Sequence, residues 1–295
     1  MTRYSTFKDK VFDIIIYTIL ALITISSLLP IVNAVAISFS DSSQAAAGLV
    51  TFYPIGFNIE SYKAILDDSS FFIAFWVSVK RVFLSTILVF VVGVLTAYPL
   101  SKEKEDFKYR NIYMWTLIFT MMFQASLIPR YMAIRNLNLL GSIWALVLPG
   151  VVNHFLIILM INFFRNLPKE LDESASIDGA GPWRKLFSIY LPLSKPIIAT
   201  VILFTVVWNW NDFFDGLVYM TRTEQYPLQT YIQQMVVTIN PGEIVDLETI
   251  RKRLAVSSRT LNAAKIVVTM LPIMVIYPKL QKYFIKGIFL GSVKE

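Results

Sequence analysis

The stretch Trp208-Asn209-Trp210-Asn211-Asp212, with Asp215 three residues on, brings aromatic rings, amides and carboxylates together. Read as one continuous helix, Trp208, Asn211, Asp212 and Asp215 fall at i, i+3, i+4 and i+7 and share a face. Such a face suits a sugar. The C–H face of a pyranose stacks on an aromatic ring, and its hydroxyls need donors and acceptors. The competing reading is an interfacial aromatic belt with exposed polar neighbours. Gln124, Asn153 and His154 are further polar groups within apolar runs, each either making one interhelical hydrogen bond or touching a ligand. Lys80 and Arg81 interrupt another apolar run. There they either snorkel to the interface or hold an acidic sugar through charge-assisted bonds.

Covalent and metal chemistry find no footing. There is no cysteine and one histidine, His154, which excludes disulfides, thiolate metal sites and a histidine cluster. No glycine-rich phosphate loop ending in Gly-Lys-Ser or Gly-Lys-Thr occurs, so the chain is not expected to hydrolyse ATP. Neither a Gly-x-Ser-x-Gly nucleophile elbow nor a His-Glu-x-x-His pair is present. The expectation is a binding or transport protein rather than an enzyme, with no cofactor of its own.

The elements that must position these groups are membrane helices. Of 295 residues, 56% are hydrophobic and only 16% charged, against about 25% charged in an ordinary soluble domain. Apolar runs of about 20 residues, long enough to cross a bilayer as helices, recur near 11–39, 71–100, 111–128, 142–164, 196–218 and 263–284. The fold class expected is all-α, a polytopic membrane protein with six transmembrane helices. Residues 1–10 form a tail and 11–295 a single membrane domain, with a loop at 165–195, a long polar loop at 221–259 and a tail at 285–295. The net charge of +7 is spread over loops rather than clustered, which argues against nucleic acid. Lys and Arg gather in both tails and in the 101–110 and 165–195 loops. That bias places both termini and the 165–195 loop in the cytoplasm of a multi-pass cell-membrane protein. The run Arg251-Lys252-Arg253 opposes the count, but long loops translocate largely regardless of charge.

The 165–195 loop has its own grammar. A helix-compatible run, 171–177, breaks at Gly179, Gly181 and Pro182, and a second helical stretch, 183–190, leads to Leu191-Pro192. Glycine reaches backbone angles closed to other residues, and proline lacks the N–H that a helix needs. A helix, a sharp turn and a second helix outside the membrane make an element shaped for docking.

These residues also carry a resemblance. Glu173-Ser174-Ala175, then Asp178-Gly179-Ala180, Ile189, Leu191-Pro192 and Pro196 resemble the EAA loop of ABC importer permeases. Ser174 departs from that pattern by standing in the place of the first alanine. The ending Gln281-Lys282-Tyr283-Phe284, Lys286-Gly287, Gly291 and Lys294 resembles the tail of carbohydrate permeases of the maltose-transporter type. The pieces 97–102, Pro227-Leu228-Gln229 and Tyr277-Pro278 resemble the branch importing complex, including uronate-containing, oligosaccharides.

The resemblance implies the type I importer permease fold and one permease subunit of a binding-protein-dependent importer. Implied partners are a second permease, two cytoplasmic ATPase subunits carrying ATP and Mg²⁺, an extracellular solute-binding protein, the oligosaccharide and membrane lipid. Glu173, Ser174, Ala175, Asp178, Gly179, Ala180 and Pro192 would couple to the ATPase. Gln281, Lys286, Gly287 and Gly291 would reach it through the tail. Trp208, Asn211, Asp212, Asp215, Asn153 and Arg81 are the candidate substrate contacts. The alternative is an ion-coupled secondary sugar transporter with Asp212 or Asp215 as relay.

Overall fold

Inside a bilayer no water satisfies backbone amides, so an apolar run must close its hydrogen bonds within itself. The computed structural model describes residues 7–237 and 258–292, with side chains described for 9–234, 259–278, 281 and 282. Every regular element among the described residues is helical. In chain order these are α1 (Phe7–Ser38), α2 (Ser42–Ala46), α3 (Glu60–Leu66), α4 (Ser69–Ser101), α5 (Arg110–Met122), α6 (Leu127–Asn136), α7 (Ile143–Val147) and α8 (His154–Arg165). Then follow α9 (Lys169–Ile177), α10 (Pro182–Lys185), α11 (Leu191–Leu193), α12 (Lys195–Asn211), α13 (Phe214–Tyr219), α14 (Leu228–Val237) and α15 (Ser258–Ser292).

Three described helices are long and apolar enough to cross a membrane alone: Asp9–Ser38, Ser69–Ser101 and Arg259–Pro278. Three bent pairs pass the same test together, so the count reaches the expected six when each pair is one span. The bends correct several boundaries. The third span stops at Met122 rather than residue 128, and α6, with Pro129 inside it, leaves at 113°. The fourth is broken at Pro149-Gly150 and resumes at His154 after a 45° bend. The fifth ends at Asn211 rather than 218. The last helix passes Pro272 and Pro278 without ending and runs on to Ser292, where a separate tail was expected. Of the long 221–259 loop, 228–237 is helical; residues 238–257, including Arg251-Lys252-Arg253, lie outside the described residues.

The described residues fall into two compact units. The first gathers those of 1–69 and 238–271. There Ala36, Ile37, Ala45, Val50 and Ala263 form a small core. Lys265, only 1% exposed, donates to Asp68 at 3.0 Å, since a buried ammonium needs a counter-charge.

The second unit gathers those of 70–237 and 272–295 and is built along α4. Phe71, Ala74, Ser78, Arg81, Ser85, Val89, Gly93, Ala97 and Leu100 are all buried. Steps of three and four residues put them on one stripe of the helix. Its first half is polar: Ser78 Oγ accepts from the Leu228 N–H at 2.8 Å, and Ser85 donates to Asn209 at 3.1 Å. Its second half is small and apolar and joins the core of Leu156, Ile157, Met160, Phe164, Leu186 and Val201. Gly93 lets α8 approach so closely that a Cβ there would collide with the Met160 methyl.

Close approach also decides how α13 meets α14. The Thr230 hydroxyl donates to the Phe213 carbonyl at 2.8 Å, over a gap that only hydrogen at Gly216 leaves open. A Cβ at Gly216 would collide with Thr230 Oγ1 and stand 2.9 Å from Pro227 Cδ. Gly216→Ala should therefore cost about 1–3 kcal/mol, the usual penalty of overpacking. Gly181→Ala, which adds a Cβ in open space, should stay within about 0.5 kcal/mol. Thermal unfolding of the purified protein in detergent checks both; equal melting temperatures for the two variants would contradict this packing.

Candidate functional site

α4 carries a charged cluster near its start and a second just past its end, about 30 Å apart at 1.5 Å per residue. At the first, Arg81 is 3% exposed. One terminal nitrogen donates to Asp212 Oδ2 at 2.7 Å and the other to Asp215 Oδ2 at 2.9 Å. Asp212 and Asp215 reach it from different elements. α12 stops at Asn211, Asp212 turns to φ −75°, ψ 122°, and Asp215 belongs to α13. Asp212 Oδ1 accepts from the Phe214 N–H at 3.2 Å, so the same carboxylate turns the chain into α13. This overturns the single face expected of Trp208, Asn211, Asp212 and Asp215. Arg81 also does not snorkel, because its partners lie inside the protein; Lys80, off the buried stripe, is exposed.

A cavity of about 700 Å³ takes Trp208 and Asn153 into its wall, but not Asn211, Asp212, Asp215 or Arg81. Phe155, Phe204 and Trp208 supply its aromatic part, with ring centroids 5.3–6.3 Å apart. Thr120, Gln124, Asn153 and His154 supply polar groups, and Arg130 supplies a cation. The broken fourth span makes this wall. Asn153 Oδ1 accepts from the Leu156 N–H at 3.1 Å, capping α8 where the helix restarts. His154 Nε2 lies 2.9 Å from Thr120 Oγ1 on α5, the interhelical bond expected of it. Asn211 is exposed and donates to the Val207 carbonyl of its own helix at 2.9 Å. Asn209, which sequence reasoning passed over, spends its amide on the Thr205 carbonyl and its oxygen on Ser85.

The second cluster holds the 165–195 loop. The Leu100 carbonyl, at the electronegative end of α4, accepts from Arg110 at 3.1 Å and Arg165 at 3.0 Å. Lys102 donates to Asp172 Oδ1 at 2.6 Å and to the Tyr190 hydroxyl at 2.8 Å. Its ammonium also lies over the Tyr98 and Tyr190 rings, 4.8 and 4.4 Å from their centroids. Lys185 donates to the other Asp172 oxygen at 3.2 Å and to Ser176 at 2.6 Å. Burial pushes the Asp172 carboxyl up, but Lys102 and Lys185 outweigh it and hold the group below its ordinary 3.8. Spacing gave no hint of this clamp, because residues 102, 172, 185 and 190 belong to separate segments.

The loop's glycine and acid positions read as one helix ending. α9 stops at Ile177, Asp178 caps it, and Gly179 takes φ +71°. The Gly179 N–H donates to the Ser176 carbonyl at 3.0 Å and the Ala180 N–H to the Ala175 carbonyl at 2.8 Å. This is the Schellman pattern, which satisfies carbonyls a helix end would leave open. Pro182 then starts α10, at the first helical position, where its missing N–H costs nothing. Ala175 is buried, whereas Glu173, Ser174, Asp178 and Gly179 face out. Around them Ile177 is 88% exposed, and Trp183 and Phe187 stack on each other in solvent at 6.2 Å. Pro192 lies in α11, ahead of α12. Gln281, Lys286, Gly287 and Gly291 lie on α15; the side chains at 286, 287 and 291 are outside the described residues.

Two measurements probe these clusters. Arg81→Met strands two carboxylates and should destabilise by about 3 kcal/mol, the low end for a broken buried pair because both acids are partly wet. The triple variant Arg81→Met, Asp212→Asn, Asp215→Asn removes every charge and should recover most of that loss in thermal melting. In the clamp, the depressed Asp172 pKa fixes the sign of the pH dependence. The stability advantage of wild type over Asp172→Asn should be complete above about pH 5. It should vanish as pH falls below 3.8, the group's ordinary value. An advantage independent of pH would show that the carboxylate's charge is not what holds the loop.

No protein-family profile matches the chain. It is 34% identical over 287 residues to the polygalacturonan/rhamnogalacturonan transport system permease protein YtcP of Bacillus subtilis (strain 168), spanning 97% of this chain and 99% of that one. It is 35% identical over 293 residues to Protein LplC of the same organism, covering 99% and 98%. The lactose transport system permease protein LacG of Rhizobium radiobacter is 26% identical over 291 residues, covering 98% and 99%. Among solved structures, a chain of a bacterial ABC transporter involved in the import of the acidic polysaccharide alginate superposes with TM-score 0.87 at 29% identity, over 96% of this chain and 100% of that one. With a helical membrane fold shared end to end and a capped knuckle where the importer loop was expected, the chain belongs to the permease subunits of carbohydrate ABC transport systems.

Proposed function

We propose that this permease forms one half of the membrane path of an importer for acidic, polysaccharide-derived oligosaccharides, driven through the 165–195 knuckle. The observation that carries the reading is the braced knuckle itself. The Schellman turn and the Lys102–Asp172–Lys185 clamp fix α9 against α4, while Ile177, Trp183 and Phe187 are left in solvent. A rigid element with apolar side chains held outward is suited to a groove on a cytoplasmic ATPase. In this reading Glu173, Ser174, Ala175, Asp178, Gly179, Ala180 and Pro192 form or shape that contact. Gln281, Lys286, Gly287 and Gly291 extend it along α15. ATP and Mg²⁺ are handled on two partner ATPase chains, and a second permease and an external binding protein complete the assembly. Both termini lie with the knuckle in the cytoplasm, the side that the Lys and Arg bias selects.

The acidic substrate class is supported by the relatives named for polygalacturonan and alginate. Within the cavity, Trp208 and Asn153 are the earlier candidates that remain as contacts. The ion-coupled alternative is not favoured: the matching solved structure is an ABC transporter, and Asp212 and Asp215 are both tied to Arg81.

ATP-driven closing of the ATPase dimer would push the knuckle, and α9 would pass that motion to α4 and the spans around the cavity. Gly179→Pro cannot adopt φ +71° and lacks the N–H that bonds Ser176. Glu173→Lys reverses an outward charge on the same helix. Each variant should assemble in the membrane yet lose substrate-stimulated ATP hydrolysis and uptake by about tenfold or more, the scale of a lost docking contact. The wild-type permease should co-purify with an ATPase chain in detergent. Normal coupling in both variants would rule out the knuckle as the drive point.

A further inference from the structure

Among the described residues the cavity holds one guanidinium, and it is not Arg81. Arg81 has both terminal nitrogens committed to Asp212 and Asp215, is nearly fully buried, and is absent from the cavity wall. Arg130, on α6 just after the break in the third span, is exposed and lines the cavity. It stands beside Asp215 and the Tyr219 hydroxyl. Among the described residues it closes no ion pair within 4.0 Å, and the neutral Tyr219 hydroxyl beside it leaves its charge unmatched. Asp215, an acid whose charge it feels, is already bonded to Arg81. Among the described residues no carboxylate lines the cavity, and the charge in its wall is the Arg130 guanidinium.

Around that charge the wall is chemically mixed. Phe155 and Trp208 are well exposed into it, and Thr120, Gln124, Asn153 and His154 offer neutral donors and acceptors. A volume of about 700 Å³ is in the range of roughly 300–1,000 Å³ that small-molecule sites occupy. A neutral sugar would be served by the rings and amides alone. A sugar carrying a carboxylate also finds a planar fork of donors suited to bidentate contact.

We infer that Arg130 binds the carboxylate of an acidic sugar in this cavity, and that Arg81 positions the neighbouring helices without touching substrate. The inference rests on the acidic-oligosaccharide reading above. It adds the residue that distinguishes an acidic from a neutral sugar.

The test uses the complete importer in proteoliposomes with its binding protein. The probes are a galacturonate trimer and the same trimer fully methyl-esterified, which keeps the shape and removes the charge. Arg130→Gln should raise the KM for the acidic trimer at least roughly tenfold, the lower range for a lost hydrogen bond to a charged group. It should change ester uptake, where the wild type carries the ester, by less than about twofold, and Arg130→Lys should recover only part of the acidic uptake, since an ammonium keeps the charge but lacks the fork. Arg81→Met, by contrast, should depress every probe the wild type carries in parallel with its loss of stability. Unchanged acidic uptake by Arg130→Gln, or equal losses on both trimers, would overturn the assignment and leave the importer reading intact. A wild type that carries only the ester would also overturn it, together with the acidic substrate class. Uptake of neither trimer by the wild type would sink the oligosaccharide-import reading itself.

Discussion

A guanidinium taken out of water must be met by fixed acceptors, and much of the second unit is arranged around meeting one. Arg81 sits on the buried stripe of α4 where lipid offers nothing to bond. Two carboxylates come to it, Asp212 from the break that follows α12 and Asp215 from α13. That break sets where α13 lies, and α13 in turn receives α14 across the bare backbone of Gly216. The helix hydrogen bonds given up at residue 212 are partly replaced by the Asp212 side chain itself, which accepts from the Phe214 N–H. Charge pairing and the turn into α13 therefore meet in one carboxylate, that of Asp212.

The same helix carries a different solution at its other end. Past Ser101 the surroundings are polar, so the cluster of Lys102, Asp172, Lys185 and Tyr190 can be built from several modest bonds. Their value lies in number: each oxygen of Asp172 is engaged, and the Lys102 ammonium also rests on two aromatic faces. α9 is thereby fixed in orientation while its outward residues stay free for a partner. Between the ends, Val89, Gly93 and Ala97 keep α4 packed on α8 without large side chains in the way. A helix of 33 residues spans about 50 Å. In the proposed mechanism it carries motion from the knuckle to α8, whose first residues line the cavity.

The cavity depends on broken helices. The fourth span yields at Pro149-Gly150 and recovers through the Asn153 cap, and the third turns away after Met122. Irregular backbone at membrane depth persists where protein or a water-filled space satisfies it. Of the polar residues that interrupt these apolar runs, Asn153 caps the restarted helix and His154 ties α8 to Thr120 of α5, and both also line the cavity.

Local chemistry alone determined a good deal. Apolar runs near 20 residues forced membrane helices, because an unpaired peptide group in hydrocarbon is too costly for any other structure. Gly179 and Pro182 forced the knuckle's turn, because φ +71° and a missing N–H are properties of single residues. What the sequence left open was pairing over distance. Whether Arg81 snorkels, binds substrate or pairs internally depends on carboxylates 131 and 134 residues away. The face assumed for Trp208, Asn211, Asp212 and Asp215 failed because helical periodicity holds only while the helix continues, and this one ends at Asn211. Asp172 and Arg130 gave no local signal for the same reason: a charge acquires its role from what packs against it, and that is settled only when the helices come together.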